Sequence, residues 1–200
     1  MTLELALSRL FLAVALACCF VGCSSFQKQS LLTIPAAEDE LYALKVWRLE
    51  GRVGVQTAKN AWHANLFWDH EADQDRLRIS GPLSQGLLSI IVQKDLIYVS
   101  DGSGKGEMSR DPVALLERRL GFAVPLSSLR YWVLGVPDPV ETFVTEVADA
   151  NSSRRFLQKG WLLDVERLVK VGRFSVPQKV LIQGGGVKLK LIADYWEIKG

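Results

Sequence analysis

His63 and His70 are the only histidines in the chain. They stand seven residues apart, one inside a run of alternating polarity and one just past its end. No cysteine accompanies them, so the spacing fits no zinc site, and His63 reads as a solvent-facing strand residue. The run Gly102-Ser103-Gly104-Lys105-Gly106 is glycine-rich, but it lacks the long phosphate-loop spacing and the Ser or Thr after lysine. A hairpin turn is the simpler reading. No Gly-x-Ser-x-Gly elbow is present. Asp164 and Glu166 are two apart and share one face of a strand, as paired carboxylates would. Arg167 sits beside them, which makes a solvated face the default. No nucleophile is set against a base, so the residues point to no enzyme, no metal and no cofactor.

The cysteines offer a different chemistry. From Leu10 to Cys23, 13 of 14 residues are apolar, with Arg9 as a weak positive flank. A transmembrane helix needs about 20 such residues, whereas this run has the length of a signal-peptide core. It ends in Phe20-Val21-Gly22-Cys23-Ser24-Ser25, which resembles a bacterial lipobox. That resemblance implies cleavage before Cys23, diacylglycerol on its thiol and an acyl group on the freed amine. Cys18, after Ala15-Leu16-Ala17, is a rival site. Cys18 and Cys19 would leave with residues 1–22, and a lone remaining Cys has no internal disulfide partner. Burying a methylene contributes about 0.8 kcal/mol, so several acyl chains make a lasting anchor. Ser24 stands where Asp would signal inner-membrane retention, so the expected destination is the outer membrane. Residues 23–35 then read as the lipidated N-terminus and a tether.

Composition limits the other function classes. The chain has 200 residues, 48% hydrophobic and 23% charged, with mean hydropathy +0.13. That suits one globular domain over residues 36–200. Lys and Arg number 24 against 22 Asp and Glu, a net charge of +2, which argues against a dedicated nucleic-acid binder.

Alternation dominates the body. Leu49, Gly51, Val53 and Val55 alternate with Arg48, Glu50 and Arg52. Trp62, Ala64, Leu66 and Trp68 alternate with His63, Asn65, Phe67 and Asp69. The same period recurs at Leu77 and Ile79, and at Leu88, Ile90 and Val92. Period two with one apolar face marks a half-buried antiparallel sheet. Further strands are expected over 96–100, 141–147, 154–158, 161–168, 178–183 and 187–196. Gly160 and Gly184-Gly185-Gly186 fall where hairpins must turn. A helix is expected over 36–47. Another opens at Asp111-Pro112, carries Leu115, Leu116 and Leu120, and stops at Gly121. A third, shorter helix fits 125–134. About ten or eleven strands exceed the usual five or six, so the sheet must curl and leave an interior. The helices are candidates to lid it.

Six tryptophans are many for this length. Large aromatics wall apolar ligand sites well, although ordinary core is the plainer reading. The stretch Arg78 to Leu87 carries Leu83 between Gly81-Pro82 and Ser84-Gln85, a candidate exposed apolar tip for a bilayer or a partner.

Several segments together resemble the LolB family of outer-membrane lipoprotein receptors. They are Trp47 with Gly51-Arg52-Val53-Gly54-Val55, Phe67-Trp68, Gly81-Pro82-Leu83, the run from Pro125 to Pro137, and Lys188-Leu189-Lys190-Leu191 with Trp196. The resemblance implies a mainly β fold, a single antiparallel sheet curled into an unclosed barrel whose helices lid an apolar cavity. It implies a monomeric receptor that accepts lipoproteins from the periplasmic carrier LolA and inserts them into the outer membrane. Cargo acyl chains would lie in the cavity, with Trp62, Leu66, Trp68, Leu88, Ile90, Trp132, Trp161 and Leu163 as candidate walls. Leu83 matches a protruding tip linked to insertion, although Ser84 stands where glycine is common. With no nucleotide site in view, transfer would run downhill in affinity. A structural or assembly lipoprotein that scaffolds other outer-membrane proteins is the alternative.

Overall fold

A computed structural model describes residues 36–81, 86–148 and 152–199. The expected signal peptide, Cys23, the tether and Leu83 lie outside the described residues.

Eleven strands form one antiparallel sheet. The first meander is β1 (Val46–Thr57), β2 (Ala61–Glu71), β3 (Gln74–Ser80), β4 (Leu88–Gln93), β5 (Leu96–Asp101) and β6 (Gly106–Ser109). The second is β7 (Phe143–Thr145), β8 (Arg154–Gln158), β9 (Trp161–Val171), β10 (Phe174–Gly184) and β11 (Val187–Lys199). The strand order β6-β5-β4-β3-β2-β1-β11-β10-β9-β8-β7 pairs the first strand with the last at the centre. The edges β6 and β7 do not pair, so the curled sheet stays unclosed. The chain must leave at one edge and return at the other. That crossing carries α2 (Pro112–Leu120) and α3 (Leu126–Trp132) over the apolar face.

Local chemistry accounts for the elements. Asp111 caps α2 by accepting from the Ala114 amide at 3.0 Å, and Gly121 ends it in the left-handed conformation. The first helix, α1 (Ala36–Tyr42), is shorter than expected. Val46 and Trp47 belong to β1, because Trp47 buries its ring between Trp68 and Trp196. Phe143–Thr145 is all that forms of the strand expected over 141–147.

One irregularity sets the face of the last strand. Glu50 pairs with Tyr195 but Gly51 pairs with Ala193, so Asp194 is an extra residue in β11. Before this bulge the buried positions are Val187, Leu189, Leu191 and Ala193; after it, Trp196 turns inward. A side chain at Gly51 would put its Cβ 2.1 Å from the Ile192 carbonyl oxygen, so the crossing needs glycine there. Arg52 grips Asp194 through two hydrogen bonds, at 2.8 and 3.0 Å, and holds its carboxyl below the ordinary range.

Candidate functional site

Between the sheet and the two crossing helices lies a cavity of about 80 Å³. Strands β1 to β4 supply Val53, Val55, Trp62, Leu66, Trp68, Leu77, Ile79 and Ile90. From β10 and β11 come Ile182, Leu189 and Leu191. Helix α2 adds Leu116 and Leu120, α3 adds Leu126 and Leu129, and Phe122, Val124 and Val133 lie at the helix ends. Every lining residue is apolar. Strand alternation places the β positions, since every second residue of β2 faces the same way.

The structure brings Trp62, Leu66, Trp68 and Ile90 together on this cavity. The other four candidates lie elsewhere. Leu88 is half-buried near the start of β4. Trp132 is fully buried at the end of α3, where its Nε1 donates to Gln158 Oε1 at 2.8 Å. Trp161 lies beside Trp132, with ring centroids 6.1 Å apart. It faces an open groove of about 600 Å³ with Thr57, Lys59 and Gly185. Its ring lies on Gly184, where a Cβ would meet it at 2.6 Å. Leu163 is packed out of reach in the core on β9. Toward β8 and β9 the interior is filled by Trp132, Trp161 and Phe156. The helix leucines were not among the expected walls, although the stripe of Leu115, Leu116 and Leu120 signals a buried face.

The polar candidates disperse. His63 is exposed, as its alternation predicts. His70 differs from expectation: it lies within β2, buried, with Nδ1 2.9 Å from Asp75 Oδ1. The same oxygen accepts from Trp68 Nε1 at 2.8 Å, and Trp47 stacks on the imidazole with centroids 5.2 Å apart. Asp75 therefore fixes the ring of one cavity residue from below. Asp164 and Glu166 do not converge. Asp164 is buried, not solvated, and pairs with Arg155 at 2.8 Å, whereas Glu166 pairs with Lys179. No group of three or more His, Cys, Asp or Glu suited to a metal occurs among the described residues. The site can exclude water and hold apolar groups; the residues around it offer no bond-making chemistry.

The chain is 27% identical over 199 residues to the outer-membrane lipoprotein LolB of Chromohalobacter salexigens, covering 97% of this chain and 92% of that one. The LolB of Thiobacillus denitrificans is 26% identical over 191 residues, covering 94% and 97%. Among solved structures, a LolA superfamily protein from Nitrosomonas europaea overlays with a TM-score of 0.47 at 7% identity, covering 78% of this chain and 87% of that one. The family model of the outer membrane lipoprotein LolB matches residues 45–196, and the chain belongs to that family.

Proposed function

We propose that this protein accepts lipoproteins from a LolA-type periplasmic carrier and inserts them into the outer membrane, holding their acyl chains between the sheet and α2–α3. As a LolB family member it serves lipoprotein localisation at the outer membrane. The observation that carries the finer reading is the cavity, which no polar side chain lines. Acyl chains resist crossing water at about 0.8 kcal/mol per methylene, so a dry apolar wall is the chemistry that transit needs. At about 80 Å³ the space is narrow. Loading therefore has to move a wall, and the helices are the part not hydrogen-bonded into the sheet ladder.

Cys23 is the proposed anchor, carrying diacylglycerol and an N-acyl chain, after removal of residues 1–22. The domain then faces the periplasm on its tether, and Leu83 is the tip that enters the bilayer during delivery. The test is transfer from a carrier–lipoprotein complex to the receptor and then to outer-membrane vesicles. Wild type completes both steps. Leu83→Glu takes up cargo but fails to deliver it; lost uptake would refute that division of labour. A fluorescent fatty-acid analogue separates this reading from the scaffold alternative, which calls for no acyl-chain binding.

A further inference from the structure

At the opposite end of β1 from its turn into β2 lies a second pocket, of about 170 Å³. It forms where α1, α3 and the β2–β3 turn meet. Its character is the reverse of the apolar cavity. Lys45, Arg130 and His70 line it, with the Tyr42 and Tyr131 side chains, and no Asp or Glu does.

Arg130 is the central member. Arg48, Arg52, Arg118, Arg154 and Arg155 each lie on a carboxylate. Among the described residues Arg130 has none. Its Nη2 donates to Tyr131 Oη at 3.1 Å, and the guanidinium lies 4.8 Å from that ring's centroid. Its Nε is buried and has no hydrogen-bond partner among the described residues. A buried donor left unmade is costly, more so when charged, so the guanidinium is short of acceptors. Lys45 also has no ion-pair partner among the described residues. Burial pushes the Tyr42 hydroxyl up to about 12, so it stays protonated, and it donates to the Pro137 carbonyl at 2.9 Å. Tyr131 accepts from Arg130, which leaves its own proton to donate.

We propose that this pocket binds a phosphate ester, with Arg130 making the forked contact, Lys45 supplying the second charge and Tyr131 a hydroxyl donor. A guanidinium presents parallel N–H groups to two oxygens of one anion. Leu41, Leu44 and Leu134 also line the pocket; they suit the carbon side of an ester better than a bare ion. A lipid headgroup and a soluble phosphate ester share this chemistry.

The experiment is phosphorus NMR line broadening with the full chain in maltoside micelles. The probes are glycerol phosphate, inorganic phosphate, and phosphatidylglycerol doped into the micelles. Broadening by glycerol phosphate identifies a soluble ester; broadening confined to phosphatidylglycerol identifies a headgroup. Arg130→Gln is expected to weaken binding about tenfold or more, as loss of a charged forked contact does. Lys45→Gln, at an exposed position that the fold does not depend on, is expected to weaken it about threefold or more. Lys190→Gln, on the outward face of β11, should leave it unchanged. Binding of inorganic phosphate alone overturns the proposal, as does no binding of any probe. So does binding that Lys45→Gln leaves intact, or that Lys190→Gln weakens as much.

Discussion

Helices α2 and α3 cross the same face of one sheet, yet they are held by different forces. α3 is stitched in place. Ser128 donates to Asp138 at 2.8 Å in a buried bond. Gln158 Oε1 accepts from Trp132 Nε1 and from the Asp138 amide, each at 2.8 Å. Its Nε2 donates to the Asp138 and Glu141 carbonyls at 2.9 Å. One buried amide thus uses its full hydrogen-bonding capacity. Arg154 extends the stitching by bonding both the Gly135 carbonyl, at 3.0 Å, and Glu38 of α1. Among the described residues α2 has no such ties. Leu115 and Leu116 press into the core, and its polar links to the sheet are surface pairs from Arg118 and Arg119 to Glu107 of β6. Apolar contacts are non-directional, so a helix held by them can shift without stranding polar groups. Two cavity leucines ride on α2. The comparison makes α2 the movable wall and α3 the fixed one.

The hardest test attacks the fixed side. Gln158→Leu strands the Trp132 Nε1 and the Asp138 amide, and takes the donor from two carbonyls. Each unmade buried group costs about 1–3 kcal/mol, so a loss of roughly 3–5 kcal/mol is expected in urea unfolding. A loss below 1 kcal/mol would mean that the network does not hold α3. On the other helix, Leu120→Ala removes a half-buried wall. It should cost about 1–2 kcal/mol, below the 2–5 of a fully buried leucine. The same variant should bind a fluorescent fatty acid more tightly, because the narrow cavity widens at less cost. Ser128→Ala on α3 should destabilise without changing that affinity; a matching gain there would erase the distinction.

A smaller effect is expected from Asp111→Ala, which removes the α2 cap at a cost of about 1 kcal/mol. Amide hydrogen exchange should then rise in 112–120 and not in 126–132. The last test reads a slope. Burial lifts the Glu38 carboxyl above its ordinary 4.5, against the pull of Arg154. The native chain therefore keeps this proton at pH values where the unfolded chain has lost it. The resulting stability is present below 4.5 and disappears as pH rises through the raised native value. Urea midpoints from about pH 4 to about 7 should show this decline in wild type and not in Glu38→Gln.

Much of this was legible in the residues. Alternation exposed β2, β3 and β4 with their inward faces, because a half-buried strand must alternate whatever its neighbours are. Asp111, Pro112 and Gly121 bounded α2 for equally local reasons: a cap acceptor, a residue without an amide proton, and a residue at ease with positive φ. The lipobox-like Phe20 to Ser25 run and the order of short motifs carried the family. The inward residues Leu49, Val53, Leu66 and Trp68 follow from those patterns alone.

Three things belong to the tertiary structure. The bulge at Asp194 turned Trp196 inward, and it arises from the register of β11 against β1, strands more than a hundred residues apart in sequence. The division of the tryptophans followed from where the helices cross. Trp62 and Trp68 lie on the cavity, whereas Trp132 and Trp161 fill the other side of the interior. Alternation says which side of a strand a residue takes, not which helix will lie over it. The pocket joining Lys45, His70 and Arg130 exists because β1 pairs with β2, setting Trp47 against His70, while Tyr42 of α1 reaches the Pro137 carbonyl beyond α3. Periodicity is a property of neighbours in the chain, and it determined the faces. Long-range pairing determined what each face meets.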